Sequence, residues 1–137
     1  MRRLPAFTLI GCVVLAGCSG DNVVSVSGTL TYKGQPVTNA FINFVPENGR
    51  PSMGETDKDG KFTLTYDPQR KGAERGKHRV FVQYNAVADA GKPGAVPGMA
   101  PKLEPEWQEF FRKYGGDNSP VQVEITKSES DLKLAWE

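Results

Sequence analysis

Strict alternation of apolar and polar residues limits the fold more than any other feature of this chain. Val24, Val26, Gly28, Leu30 and Tyr32 fall on one side of an extended backbone, and Ser25, Ser27, Thr29 and Thr31 on the other. Successive side chains of a strand point to opposite faces, so this period of two describes a half-buried β-strand. Lys33-Gly34-Gln35-Pro36 then breaks it, with Gly for the turn and Pro unable to donate to a ladder. A second strand runs from Ala40 to Val45. Ala40, Ile42 and Phe44 face one way, and Phe41 and Val45 on the reverse are also apolar, which suits cover on both faces. Pro46 ends this strand, and Glu47 to Ser52 reads as a loop.

The rhythm continues. Met53 to Thr56 reads as a short strand, and Asp57-Lys58-Asp59-Gly60 as a tight turn. Lys61 to Tyr66 returns with Phe62, Leu64 and Tyr66 inward. Asp67 to Arg75 reads as a polar loop, and Gly76 to Tyr84 as a strand with His78, Val80, Val82 and Tyr84 on one face. Asn85 to Glu104 is rich in Ala, Gly and Pro and has no apolar period. It reads as a long mobile loop, of a length that in compact domains is usually functional or disordered. A helix comes next, with Pro105 in its first turn, Glu104 and Glu106 at the positive end of its dipole, and Gly115-Gly116 as its stop. Trp107, Phe110, Phe111 and Tyr114 form one aromatic stripe along it. Val121, Val123 and Ile125, then Leu132, Leu134 and Trp136, mark two closing strands, with Lys127 to Asp131 as the turn between them. About seven short strands separated by turn signals predict an all-β antiparallel sandwich, with one short helix in a long loop before the last two strands.

The start of the chain has a different character. Arg2 and Arg3 precede an apolar run from Leu4 to Ala16, and no acidic residue occurs before Asp21. A basic start, a short apolar run and small residues describe an export signal. The run falls short of the roughly 20 apolar residues that span a bilayer. Leu15-Ala16-Gly17-Cys18 resembles the lipobox of bacterial lipoproteins. The resemblance implies cleavage between Gly17 and Cys18 and a diacylglycerol on the Cys18 thiol, with a further acyl chain on the new N-terminus. Two or more chains anchor stably, because each buried CH₂ contributes ~0.8 kcal/mol. Residues 1–17 are thus expected to be a signal peptide, 18–23 a lipidated N-terminus and tether, and 24–137 a β-sandwich with a loop-helix insertion at 85–116. Ser19 after the lipidated cysteine resembles the sorting preference that directs some lipoproteins to the outer membrane, so the expected address is the periplasmic face of that membrane in a bacterial envelope.

Removing 17 of the 137 residues leaves 120, one domain's worth of chain. The signal holds two of the 17 basic residues and none of the 16 acidic ones, so the remainder carries formal charge −1. No basic run occurs in it, which argues against a nucleic-acid partner. Cys12 leaves with the signal and Cys18 is acylated, so no thiol is left for a disulfide, a zinc site or a nucleophile.

Val26-Ser27-Gly28-Thr29-Leu30-Thr31-Tyr32-Lys33-Gly34-Gln35-Pro36-Val37, Ala40-Phe41-Ile42-Asn43-Phe44, Thr56-Asp57-Lys58-Asp59-Gly60-Lys61-Phe62-Thr63-Leu64 and Gly76-Lys77-His78-Arg79-Val80 together resemble the carboxypeptidase regulatory-like domain family. The resemblance implies a transthyretin-like (prealbumin-like) sandwich and is closest to small bacterial lipoproteins built from one such domain, in which a stretch like Lys113-Tyr114 precedes the last two strands. It covers most of residues 24–137 and speaks to fold more than to function.

Chemistry-bearing constellations are sparse. His78 is the only histidine. Transthyretin-like hydroxyisourate hydrolases need several histidines and a C-terminal Tyr-Arg-Gly-Ser motif, and related dioxygenases need two His and two Tyr on iron. No Gly-x-Ser-x-Gly elbow is present. Asp57-x-Asp59-Gly60 resembles the start of a calcium loop, but the twelfth position, where an EF-hand carries Glu, is Pro68. No catalytic residue, metal site or cofactor is therefore expected. The expected function is that of a lipid-anchored, non-catalytic envelope module for binding, scaffolding or interaction, held to the membrane by its lipid and facing an envelope protein or glycan. The aromatic stripe Trp107, Phe110, Phe111 and Tyr114 is either core or a candidate binding surface. One alternative is a module for an envelope glycan or a divalent ion, using the 85–116 segment or the Asp57–Asp59 turn. A more distant alternative is a transthyretin-like enzyme.

Overall fold

The computed structural model describes residues 21–89, 91–93 and 102–137. The lipobox with Gly17 and Cys18, and the centre of the Ala/Gly/Pro-rich stretch, lie outside the described residues.

The first alternating run forms β1 (Val23–Val24) and β2 (Val26–Tyr32), parted at Ser25. Every second residue of β2 is buried, beginning with Val26, as the period of two demands. Lys33 and Gly34 both have positive φ, at 48° and 79°. That is the mirror-image two-residue turn that matches strand twist, and it brings β3 (Gln35–Pro36) back against Tyr32 and Thr31. Next come β4 (Ala40–Pro46), β5 (Ser52–Glu55) and β6 (Lys61–Thr63). Beyond Thr63 the chain leaves regular pairing, although Leu64 stays fully buried. The expected polar loop at 67–75 contains a short strand, β7 (Ala73–Glu74), which pairs with β1. β8 (Gly76–Tyr84), the single helical turn α1 (Ala86–Asp89), helix α2 (Pro105–Tyr114), β9 (Val121–Ile125) and β10 (Glu129–Trp136) complete the order.

Two four-stranded sheets enclose the core. One holds β5, β4, β8 and β9, all antiparallel. The other centres on β2, with β3 and β6 along one edge and β10 along the other. β10 runs parallel to β2, a departure from the expected all-antiparallel pairing. The chain leaves β9 in one sheet and, after residues 126–128, starts β10 in the other, so the two closing strands are not a hairpin. A bridge between Met53 and Thr65 stitches β5 to the end of β6 and closes one side of the sandwich. Inside, Val26, Leu30 and Phe62 of one sheet meet Ile42, Phe44, Val80 and Val82 of the other, with Phe44 and Phe62 rings 6.3 Å apart. On the outer side of β4, Phe41 and Val45 are only half-buried, so that strand is covered on one face.

Helix α2 closes the other side. β9 begins opposite Val80, so the second half of β8, paired with β4 on one edge, has no strand on the other, and Gly115 bridges to Val82 just beyond the helix. The helix therefore sits where a strand would otherwise be needed.

Candidate functional site

The aromatic stripe is oriented by that position. Phe110 is fully buried and its ring has five aromatic neighbours: Tyr32 at 4.8 Å, Phe111 at 5.0 Å, Tyr114 at 5.3 Å, Trp107 at 5.7 Å and Trp136 at 6.0 Å. Tyr114 is buried against Trp136 at 4.6 Å. Trp107 and Phe111 are half-buried and pack on the same core, Trp107 against Tyr32 and Phe111 against Tyr84. Of the two readings of the stripe, core or binding surface, Phe110 and Tyr114 take the first and plug the sandwich, with Trp107 and Phe111 half-buried at the edge of the plug. The reason is the gap beside β8, which only a bulky apolar face can fill. Lys113 Nζ and the Tyr114 hydroxyl both donate to the Glu137 carbonyl, at 2.8 and 2.7 Å, and fasten the helix end to the segment after β10.

His78 alternates inward on β8 and is 1% exposed. Its Nε2 donates to the Glu74 carbonyl at 2.7 Å, and its ring lies 5.8 Å from that of Phe44. Nδ1 has no partner. A histidine poised for acid–base work needs an orienting group on one nitrogen and access on the other. His78 spends Nε2 on a backbone carbonyl and is buried beside Phe44, an arrangement that ties β8 to the segment before it.

A shallow cleft of about 450 Å³ opens on the outside of the β4–β8–β9 sheet, between Val45, Pro46, Glu47, Lys77, His78, Arg79 and Gln122. Val45, Arg79 and Gln122 lie side by side across three strands, on the face opposite the one to which His78 alternates, so the cleft is an outer-face depression. Arg79 is already committed to Asp117 at 2.8 Å. The lining mixes charges of both signs with Val45 and Pro46, so it selects no ligand class.

The Asp57–Gly60 turn uses its carboxylate internally. Asp57 Oδ1 accepts from the amides of Asp59 at 2.8 Å and Lys61 at 2.9 Å. Those two amides hold the Asp57 carboxyl below the usual carboxylate range. Among the described residues no group of three or more His, Cys, Asp or Glu side chains is placed to hold a metal ion.

A denser polar cluster surrounds the point where the chain enters the fold, within a stretch that reads from sequence as plain loop. Arg70 spans Asp67, at 2.7 and 2.8 Å, and Asp21 at 3.1 Å. The Arg70 guanidinium lowers the Asp67 carboxyl below its ordinary range, and Asp67 in turn raises Arg70. Arg70 also lies 4.7 Å over the Tyr66 ring, with Arg50 at 5.9 Å. The Tyr66 hydroxyl donates to Glu74 at 2.6 Å, and that bond raises the phenol above its usual value. Arg75 N donates to the Asn22 carbonyl at 2.9 Å. The signal in the sequence is the acid-base mixture of Asp67 to Arg75, but its meaning depends on Asp21, 49 residues from Arg70. No protein-family model matches this chain, and neither does any curated protein or solved structure.

Proposed function

We propose that this chain is a lipid-anchored, non-catalytic β-sandwich of the bacterial cell envelope, held at the periplasmic face of the outer membrane and serving as a binding, scaffold or interaction module. The observation that carries this reading is the Leu15-Ala16-Gly17-Cys18 run directly behind a basic start and a short apolar stretch. Its resemblance to the carboxypeptidase regulatory-like domains of small lipoproteins supports the same conclusion. The geometry is compatible with it: the fold begins at once after the tether, with Asp21 and Asn22 already engaged by Arg70 and Arg75. Cys18 would bear the lipid, and Ser19 to Asn22 the tether. The test is fractionation of bacteria expressing the natural chain or Cys18→Ser. The natural protein should stay with membranes through a high-salt wash, while the variant appears in the soluble fraction. A variant that remained fully membrane-bound would sink the anchor.

A further inference from the structure

An acyl group on Cys18 would hold the sandwich on a short leash, and any fixed orientation at the membrane rests on that anchor. Two residues, Ser19 and Gly20, lie between Cys18 and Asp21, so three Cα steps, about 11 Å of fully extended chain, separate them at most. Asp21 is pinned by Arg70. The end of the sandwich around Asp21 would therefore lie within about one Debye length of the headgroups, ~10 Å at 0.1 M salt. That end comprises β1, β7, the turn after β4, residues 66–72 and the 126–128 connection. Its charges fall into two groups. The carboxylates Asp21 and Asp67 are both held by Arg70, and Glu74 accepts from Tyr66. Arg50, Lys71, Arg75 and Lys127 are exposed and have no carboxylate within ion-pair distance among the described residues. Glu47, Glu74 and Glu129 are the carboxylates here that no cation holds, so these four cations stand against three such carboxylates.

We propose that this end of the sandwich is a docking face for an anionic phospholipid bilayer. Arg50, Lys71, Arg75 and Lys127 take headgroup phosphates, and the tether at Asp21 fixes which end turns to the membrane. Arg70 offsets one of the two charges of Asp21 and Asp67, which weakens the repulsion that an anionic surface would meet beside the tether. Each cation at such a surface shifts the docked population about fivefold.

The test uses the full acylated chain in vesicles of 30% phosphatidylglycerol in phosphatidylcholine, with spin-labelled headgroup lipid as a contact quencher. A fluorophore is placed at Gln69→Cys, beside the docking face, or at Gln35→Cys, in β3 at the opposite end. The position-69 label should quench several-fold more than the position-35 label. That difference should collapse in pure phosphatidylcholine, in 1 M NaCl, and in the Arg50→Glu/Lys71→Glu/Arg75→Glu variant. Equal quenching at both positions, or a difference indifferent to lipid charge and salt, overturns the docking face while leaving the anchor intact. Purified protein lacking the acyl mass overturns both. The lipid and salt series use the unreversed protein, so a folding defect in the triple variant cannot mimic failure.

Discussion

Phe110→Ala is the sharpest perturbation of this fold. Truncating a buried Phe typically costs about 3–5 kcal/mol, the spread reflecting how far the site collapses. Collapse is restricted here, because α2 is tied at its C-terminal end by the Gly115–Val82 bridge and by Lys113 and Tyr114 bonding Glu137. Five rings surround Phe110, and aromatic pairs each add about 0.5–1.5 kcal/mol beyond area burial. The expected loss is therefore at the upper end, about 4–5 kcal/mol, out of the about 5–15 kcal/mol that holds a domain together. With a urea slope of about 2 kcal/mol/M, the midpoint should fall by about 2 M. Trp107 and Trp136 both touch Phe110, so intrinsic fluorescence reports the transition directly. Glu109→Ala, on the exposed side of the same helix, is the control and should stay within about 0.5 kcal/mol. A Phe110→Ala cost below about 1 kcal/mol, or one equal to the control, would mean that the helix does not plug the sandwich.

Three further outcomes are expected. Gly28→Ala would set a Cβ 2.1 Å from the Leu132 carbonyl oxygen of β10, so overpacking should cost about 1–3 kcal/mol in urea titration; Gly91→Ala, with nothing within 4 Å among the described residues, should be neutral, and equal costs would refute the close approach. Ser52 Oγ is fully buried without a hydrogen-bond partner among the described residues, so Ser52→Ala should be neutral or stabilising by about 1 kcal/mol, and a loss beyond that would reveal a partner. Asp57 and Asp67 both have lowered pKa values in the fold, so their stabilisation is complete above their unfolded pKa of about 4 and drains as pH falls through the folded values. Asp57→Asn should shrink the difference between the urea midpoints at pH 6 and pH 3, and an unchanged difference would contradict that assignment.

Local signals were legible because local physics decides them. The alternation in Val26–Tyr32 and Gly76–Tyr84 needs only one buried face, and Pro105 and Gly115 bracket α2 whatever it packs against. What could not be read locally depends on distant partners. The direction of the aromatic stripe is set by β9 starting only at Val121, opposite Val80, and nothing within 105–114 encodes that. Ala73–Glu74 becomes a strand only because Val23–Val24 arrives beside it. Asp67 and Arg70 look like ordinary loop charges until Asp21 is brought next to them. His78 reads as buried or exposed with equal ease from its sequence neighbours Lys77 and Arg79, and only the neighbouring Phe44 ring and the Glu74 carbonyl settle it.

The parallel seam between β2 and β10 also orders events in time. β2 gains one neighbour when Thr63 reaches Ser27, but its other edge waits for Leu132 to reach Gly28. Nearly the whole chain must be made before that sheet can close, and pairings of such long sequence separation form slowly. The plug shares the delay, since Phe110 and Tyr114 need Trp136 beneath them. A growing chain led by the proposed export signal would therefore carry no finished sandwich behind it and would remain narrow enough to thread a translocation channel. Folding would be deferred to the far side, where the last strand arrives and the core locks in a single late step.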